Sequence, residues 1–406
     1  MTLADPLVST TLAHLPEASV NLAAVGVAKS AAVFFESPVI MLLHASTALA
    51  RGKSARDQLW RFTLLAILFL SGLMAILCLP PVFSVAARAV FAIEGVLKHR
   101  VHWILLFLVL WPAASGWRRY FQGIMIYSHQ EREVAYAACG RLAILAGGLG
   151  AGYWLRLPGY LIAGATLSAG IISEAAFVTY AARRARPPAS GISRSENGLP
   201  STLREVWLFY RPLANSKIVL WGSRMILLCI IARAGGALSL ASWSTGLGIV
   251  LLFANATRMV QQVIISNREN ADAKQLFVFA ASVGLSSTAA LSALGATPPG
   301  RILVLSFLGH DARLASAALS VIALCALVPL QFALQNALEG LMISAGKTRI
   351  VNISTCAGSA VLLLGAILGV RWGLAGHVAA SLALTAGVGM ELIFLAVALN
   401  AQGAPR

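Results

Sequence analysis

Charged and amide side chains stand inside long apolar runs of this 406-residue chain, and any chemistry has to be sought among them. Lys29 and Glu36 lie seven residues apart, on one face of a helix. Lys217 and Arg224 repeat that spacing, with Asn215 just before them. Asn255 and Arg258 follow, and Gln331, Gln335, Asn336 and Glu339 form a polar stripe at helical spacing. Arg141, Glu174, His377 and Glu391 stand singly. Ionisable groups in hydrocarbon are costly, so they tend to pair, to face the protein interior and to mark ligand pathways. The chemistry on offer is the binding of charge. No Walker loop, GxSxG, HExxH or paired-carboxylate pattern occurs, so the chain does not read as an enzyme. Cys78, Cys139, Cys229, Cys325 and Cys356 are scattered singly through apolar runs. Neither a metal site, nor a resident cofactor, nor a disulfide framework is expected.

Each of these groups has a structural reading beside the functional one. Lys217 and Arg224 put two cations on one face with no acid beside them, and need an anionic partner, either Glu36 or a substrate. Lys29 and Glu36 form part of that site or a structural ion pair. The stripe from Gln331 to Glu339 lines a site or supplies interhelical hydrogen bonds. Glu174, Glu391 and Arg258 fall near expected helix ends and read as snorkelling to the headgroups. The four aspartates, Asp5, Asp57, Asp272 and Asp311, all lie outside complete spans, which argues against a buried aspartate as proton carrier.

The elements that must position these groups are transmembrane helices. Hydrophobic residues make up 58% of the chain and charged ones only 11%, and the apolar runs are continuous rather than alternating. A span needs about 20 such residues, with every backbone group bonded internally. Helices are expected at 21–46, 58–80, 101–127, 134–156, 159–182, 205–233, 237–266, 273–295, 314–343, 349–370 and 373–400. Before them Ala4–His14 is apolar but half a span long, so the fold class is an all-α polytopic membrane protein of about 11.5 helices. A start Met placed inside the first helix would explain the half-length. Pro81–Arg100 reads as a mildly amphipathic, interfacial segment. The net charge of +16 sits mostly in the breaks between runs, which is a topology signal rather than a nucleic-acid footprint. Alternate loops carry 17 and 8 Lys and Arg residues, with Arg118 and Arg119 counted on the richer side. That side is expected to be cytoplasmic, with both termini inside, in a cell (inner) membrane. Residues 184–204 have the composition of a flexible linker between a bundle at 1–183 and one at 205–400.

The two halves resemble each other at an offset of 217 residues. Gln122-Gly123-Ile124-Met125-Ile126 falls on Glu339-Gly340-Leu341-Met342-Ile343, Cys139 on Cys356, and Gly148 on Gly365. The implied plan is two six-helix bundles in a parallel, pseudo-twofold repeat, a common transporter architecture.

Certain segments carry a family likeness. Asn21–Gly26 resembles the start of the second helix of MATE-type exporters. Ser201–Pro212 resembles the entry to their seventh helix, and Gly340–Gly346 with Lys347-Thr348 the turn after their tenth. The chain thus resembles the multidrug/oligosaccharidyl-lipid/polysaccharide (MOP) exporter superfamily. Trp111-Pro112 through Gly123, Arg211-Pro212 through Arg224, and Leu374–His377 are most similar to the progressive ankylosis family and its bacterial relatives. The resemblance implies alternating access and, in that branch, export of small anions, with H+ or Na+ as any coupling ion. The MATE first-helix aspartate has no secure match, Asp5 being the only candidate, and the seventh-helix acid typical of sodium-coupled members is missing, the helix carrying Lys217 and Arg224 instead. The reading is therefore a monomeric secondary exporter of a small organic or phosphate-containing anion, with the lipid bilayer as its environment. Its substrate set is Lys29, Glu36, Lys217, Arg224, Asn255, Gln331, Gln335, Asn336 and Glu339. A lipid-linked oligosaccharide flippase and a multidrug exporter are the alternatives.

Overall fold

The computed structural model describes residues 4–49, 53–128, 130–184, 202–257, 260–261, 263–264, 273–308, 311–344 and 347–400. Among these residues the secondary structure is entirely helical. The helices are α1 (Ala4–Ala13), α2 (Ala18–Glu36), α3 (Leu42–Leu49), α4 (Lys53–Cys78), α5 (Pro80–Ala86), α6 (Gly95–Phe107), α7 (Trp111–Tyr127), α8 (Glu131–Trp154) and α9 (Gly159–Arg184). They continue with α10 (Leu203–Ala254), α11 (Ala273–Ala296), α12 (Pro298–Leu308), α13 (Ala312–Leu324), α14 (Val328–Ser344), α15 (Thr348–Arg371) and α16 (Gly376–Asn400). Nine helical stretches among the described residues are long and apolar enough to cross a membrane, and ten if the bent pair α13–α14 is one span. The stretch Ala214–Thr257 contains a break at Gly236 and holds two of the expected spans. The chain is a multi-pass membrane protein.

Several expected spans are broken helices, and proline accounts for the breaks. The expected 21–46 run ends as helix at Glu36, and Pro38 sits in the short 3-10 turn Ser37–Val39 before α3. The 101–127 run is split between α6 and α7, with Pro112 at the start of α7. The 314–343 run bends by 40° between α13 and α14, where Pro329 is the second residue of α14. Proline lacks an N–H and fits the first turn of a helix but not its interior, so each break restarts a helix at a tolerated position. Pro112 and Pro329 are 217 residues apart, so the break itself repeats. The 184–204 linker expected from sequence falls largely on residues 185–201, outside the described residues.

The packing forms two compact units. The first comprises Val27–Val90 and Glu94–Gly222; the second comprises Thr2–Gly26, Phe91–Ile93 and Ser223–Arg406. In the first, Val39, Leu42, Leu59, Phe62, Tyr120, Val206 and Tyr210 form a core, with Trp60, Trp117 and Phe121 packed against it. The Trp60 ring lies 4.8 Å from that of Trp117 and 4.7 Å from that of Tyr120. In the second, Val260, Ile264, Leu276, Ala280 and Ala337 form one cluster and Leu338, Met342 and Leu395 another. The half-length α1 belongs here, burying Ala4, Val8, Leu12 and Ala13 and packing with α12.

The repeat is visible in two hairpins, α8–α9 in the first unit and α15–α16 in the second. A Cβ on Gly148 would stand 2.6 Å from Thr166, and one on Gly365 would stand 3.4 Å from Ala383. One on Gly152 would lie 2.8 Å from Ile162, and one on Gly369 would lie 2.9 Å from Ala379. Each second member is the first plus 217. Small residues at these positions let the helices approach closely. The turns match too: Arg156 has φ 53° and its counterpart Gly373 has φ 83°, so both hairpins turn at a left-handed residue.

Candidate functional site

The site is built on α7. Its sequence places Trp111, Ser115, Arg118, Arg119 and Gln122 at steps of three and four, one polar face along an otherwise apolar helix. α2, α8 and α9 bring one side chain each to that face. Glu36 comes from the last turn of α2, Arg141 from α8 and Glu174 from α9. All of these residues belong to the first unit.

Two carboxylates collect the donors. Glu36 accepts from the Trp111 indole Nε1 at 2.7 Å, from the Ser115 hydroxyl, and from Arg119 Nη2 at 3.3 Å. Glu174 accepts at Oε2 from Arg118 Nη1 at 2.5 Å and Arg141 Nη1 at 3.1 Å. Its Oε1 accepts from Gln122 Nε2 at 3.2 Å. The Arg141 guanidinium also stands 5.8 Å from the centre of the Trp111 ring, within cation–π range. Gly170, one turn before Glu174, leaves room for Arg141, whose Cγ would be 3.4 Å from an added Cβ.

Burial makes this arrangement consequential. Arg118 and Glu174 are 2% and 1% exposed at their side chains, whereas Arg119 is 18% exposed. A buried charge is tolerated only when paired and hydrogen-bonded. Three guanidinium groups against two carboxylates leave one positive charge in excess (3 − 2 = 1).

Some sequence expectations need correction here. Arg118 and Arg119 are not loop cations; they are half-way along α7 and paired inside the protein. Removing them lowers the richer side of the charge count from 17 to 15 (17 − 2), still against 8, so the sign of the bias stands. Glu174 and Glu391 do not snorkel, being buried at 1% and 5% exposure. Glu36 takes its cation from Arg119 rather than from Lys217 or Arg224. Arg258 lies outside the described residues.

The other expected residues fall as follows. Lys29 is half-buried on α2. Lys217 and Arg224 are half-buried on the part of α10 before Gly236, separated by two turns. Asn255 opens the 3-10 turn Asn255–Thr257, whose Thr257 carbonyl accepts from Asn336 Nδ2 at 3.3 Å. Gln331 donates to the Thr385 carbonyl at 3.1 Å. Gln335 donates through one amide nitrogen to Glu339 at 3.1 Å and to Glu391. Of the stripe on α14, Gln335 thus links Glu339 to Glu391 of α16, within the second unit.

The two clusters occupy one register. Adding 217 takes Glu174 to Glu391, Arg118 to Gln335, Gln122 to Glu339, Gly170 to Gly387 and Arg141 to Gly358. In both units the carboxylate on the last helix of the hairpin is held by the residue in the Arg118/Gln335 place. The second unit has neither guanidinium group, and a Cβ on Gly358 would collide with Glu391 Cγ. The repeat offset alone relates these positions, so the sequence carries a signal for the α7 cluster.

No protein-family model matches the chain, and no curated protein matches it significantly in sequence. Solved structures do. An inward-facing multidrug resistance MATE family transporter of the MOP superfamily superposes with a TM-score of 0.73 at 14% identity, covering 100% of this chain and 96% of that one. The lipid II flippase MurJ, in an inward closed conformation, gives 0.66 at 12% identity, covering 98% and 85%. A MOP superfamily transporter from Pyrococcus furiosus, whose reverse polarity of binding pocket suggests a different function, gives 0.65 at 14% identity, covering 97% and 89%. The chain has the MATE-like fold of MOP superfamily transporters. The likeness to the progressive ankylosis branch rests on sequence alone.

Proposed function

We propose that this protein is a secondary-active exporter that moves a small organic or phosphate-containing anion by alternating access. The observation that carries this reading is the cationic surplus of the buried cluster on α2, α7, α8 and α9. Fixed positive charge inside a membrane protein lowers the cost of bringing an anion out of water. Lys217 and Arg224, two turns apart on α10, add further cations that a di- or tricarboxylate or successive phosphates would span. The fold supports transport as the class of activity. Reverse polarity of the binding pocket, suggesting a different function, is described for one protein of this fold, which supports a reading other than drug export. The proposal takes 1–183 and 205–400 as the two moving bundles and the cell (inner) membrane as the location, with both termini cytoplasmic. Any coupling ion would be H+ or Na+.

The fold shared with a lipid II flippase favours a second reading, flipping of an anionic lipid-linked sugar. One experiment separates the two. Purified protein is reconstituted into liposomes loaded with labelled citrate or pyrophosphate, and efflux is compared with translocation of a fluorescent anionic lipid. Protein-dependent efflux of either soluble anion supports the exporter. Lipid translocation without efflux supports the flippase.

A further inference from the structure

We propose that Arg119, Ser115 and Trp111 form a subsite for one carboxylate or phosphate group of the substrate, and that Glu36 is its resident occupant, displaced when the substrate binds. The inference rests on the anion-exporter reading and deepens it by naming where the anion docks.

Three donors from one helix converge on the Glu36 carboxylate: one charged, Arg119 Nη2, and two neutral, Ser115 Oγ and Trp111 Nε1. Such a donor set suits any carboxylate or phosphate oxygen pair, not only that of Glu36. Glu36 uses it incompletely. Its contact with Arg119 is 3.3 Å, long for an ionic hydrogen bond, which is ordinarily about 2.7–2.9 Å. Nε and Nη2 share one edge of a guanidinium, and that edge grips a carboxylate with two parallel bonds. Here only Nη2 is engaged; Arg119 Nε is buried with no hydrogen-bond partner among the described residues. A ligand taking both nitrogens would hold Arg119 better than Glu36 does.

Arg118 and Arg141 also leave Nε unengaged among the described residues, but they differ from Arg119 in acceptor and exposure. Arg118 and Arg141 converge on one Glu174 oxygen at 2.5 and 3.1 Å, and that carboxylate is 1% exposed. They are positioning residues: they fix α7 against α8 and α9 and hold the surplus charge beside the subsite. Arg119 is the most exposed of the three arginines at 18% and is the one an incoming anion can reach. With Glu36 in place the cluster already carries one excess positive charge (3 − 2), so the anion is attracted before exchange begins. With Glu36 displaced the excess is two (3 − 1), enough for one phosphate dianion or two carboxylates. Return of Glu36 to Arg119 then competes with the bound anion and speeds its release. Glu36 thereby sets turnover as well as selectivity.

The test uses the full-length protein in proteoliposomes, with labelled citrate and pyrophosphate as probes. Wild type is compared with Glu36→Gln, Arg119→Lys and, as a control outside the cluster, Gly140→Ala. Glu36→Gln keeps the shape and loses the competing charge. It should bind the transported anion about tenfold or more tightly, about 1.4 kcal/mol, and turn over at least about tenfold more slowly. Arg119→Lys keeps the charge and loses the two-pronged edge, and should weaken binding about tenfold or more. Gly140→Ala, where an added Cβ meets nothing within 4 Å, should leave anion affinity and turnover unchanged. Wild-type transport with affinity and turnover unchanged in both Glu36→Gln and Arg119→Lys would overturn this subsite and leave the exporter standing. No wild-type transport of either anion would overturn both.

Discussion

Glu174 and Glu391 stand 217 residues apart and hold the same place in two matching helical hairpins, yet one is gripped by two arginines and the other by a glutamine amide. The repeat preserves the carboxylate and the glycines around it. What differs is the residue facing the carboxylate. One unit is cation-rich, while in the other two carboxylates share one amide group of Gln335.

The first prediction follows from that difference. Removing Glu174 would take from the buried Arg118 and Arg141 the carboxylate that both bind. Breaking a buried pair from one side costs about 3–5 kcal/mol. Glu174→Ala should therefore lower thermal stability in detergent sharply, or prevent accumulation in the membrane. Restoring neutrality by combining it with Arg118→Met should recover part of the loss. A single Glu174→Ala variant as stable as wild type would show that the pairing contributes nothing to the fold.

How much of the molecule is legible in the sequence depends on whether a signal is local. The spans are, because twenty or so apolar residues in a row have few alternatives in a bilayer. So is the pseudo-repeat, and with it Gly148 and Gly365. Arg118 and Arg119 mislead because adjacent arginines after Trp117 look like a helix end. Only the facing acids Glu36 and Glu174, remote in sequence, make an interior position tolerable. At the repeat offset Arg118, Arg119 and Gln122 fall on Gln335, Asn336 and Glu339 of the α14 stripe, which exposes that part of the cluster, whereas Trp111 and Ser115 fall on Val328 and Phe332 and carry no such signal. Distance from a helix end assigns Glu174 and Glu391 to the headgroups, but it says nothing about the partners that tertiary packing supplies.

The second prediction concerns close packing around the site. A Cβ on Gly123 would collide with Ser46 Oγ and lie 2.6 Å from the Leu43 carbonyl, and that same Ser46 hydroxyl bonds the Arg119 carbonyl. Backbone cannot yield as a side-chain tip can, so Gly123→Ala should push α7 off α3 and cost roughly 1–3 kcal/mol as overpacking. Gly140, one residue after Cys139, has nothing within 4 Å of an added Cβ. Gly140→Ala should leave the melting temperature within a few degrees, and even favour helix slightly. Equal melting temperatures for the two variants would contradict the α3–α7 contact.

The third prediction concerns the break in α10. Gly236 has φ 58° and ψ −149°, a region that residues with a Cβ scarcely enter. Gly236→Ala should cost on the order of 1–3 kcal/mol, read as a lower melting temperature. If the break also serves alternating access, the variant's transport should fall further than its stability predicts. A variant with wild-type stability would mean that the chain turns here without needing glycine.

The last prediction tests the cations that stand out in the sequence. Lys217 and Arg224 are about 10 Å apart along α10 and both half-buried. If they bind an anionic group of an extended substrate, then charge removal should depend on substrate length. Lys217→Ala and Arg224→Ala should each reduce efflux of a tricarboxylate such as citrate by about tenfold or more, while efflux of a short monocarboxylate such as acetate changes little. Membrane insertion should stay intact in each variant. Arg119→Lys, by contrast, should weaken both substrates. The measurement is efflux from proteoliposomes at matched protein levels for the two substrates. Normal citrate efflux in the double variant would assign Lys217 and Arg224 a structural role and leave Arg119 as the sole anchor of the anion.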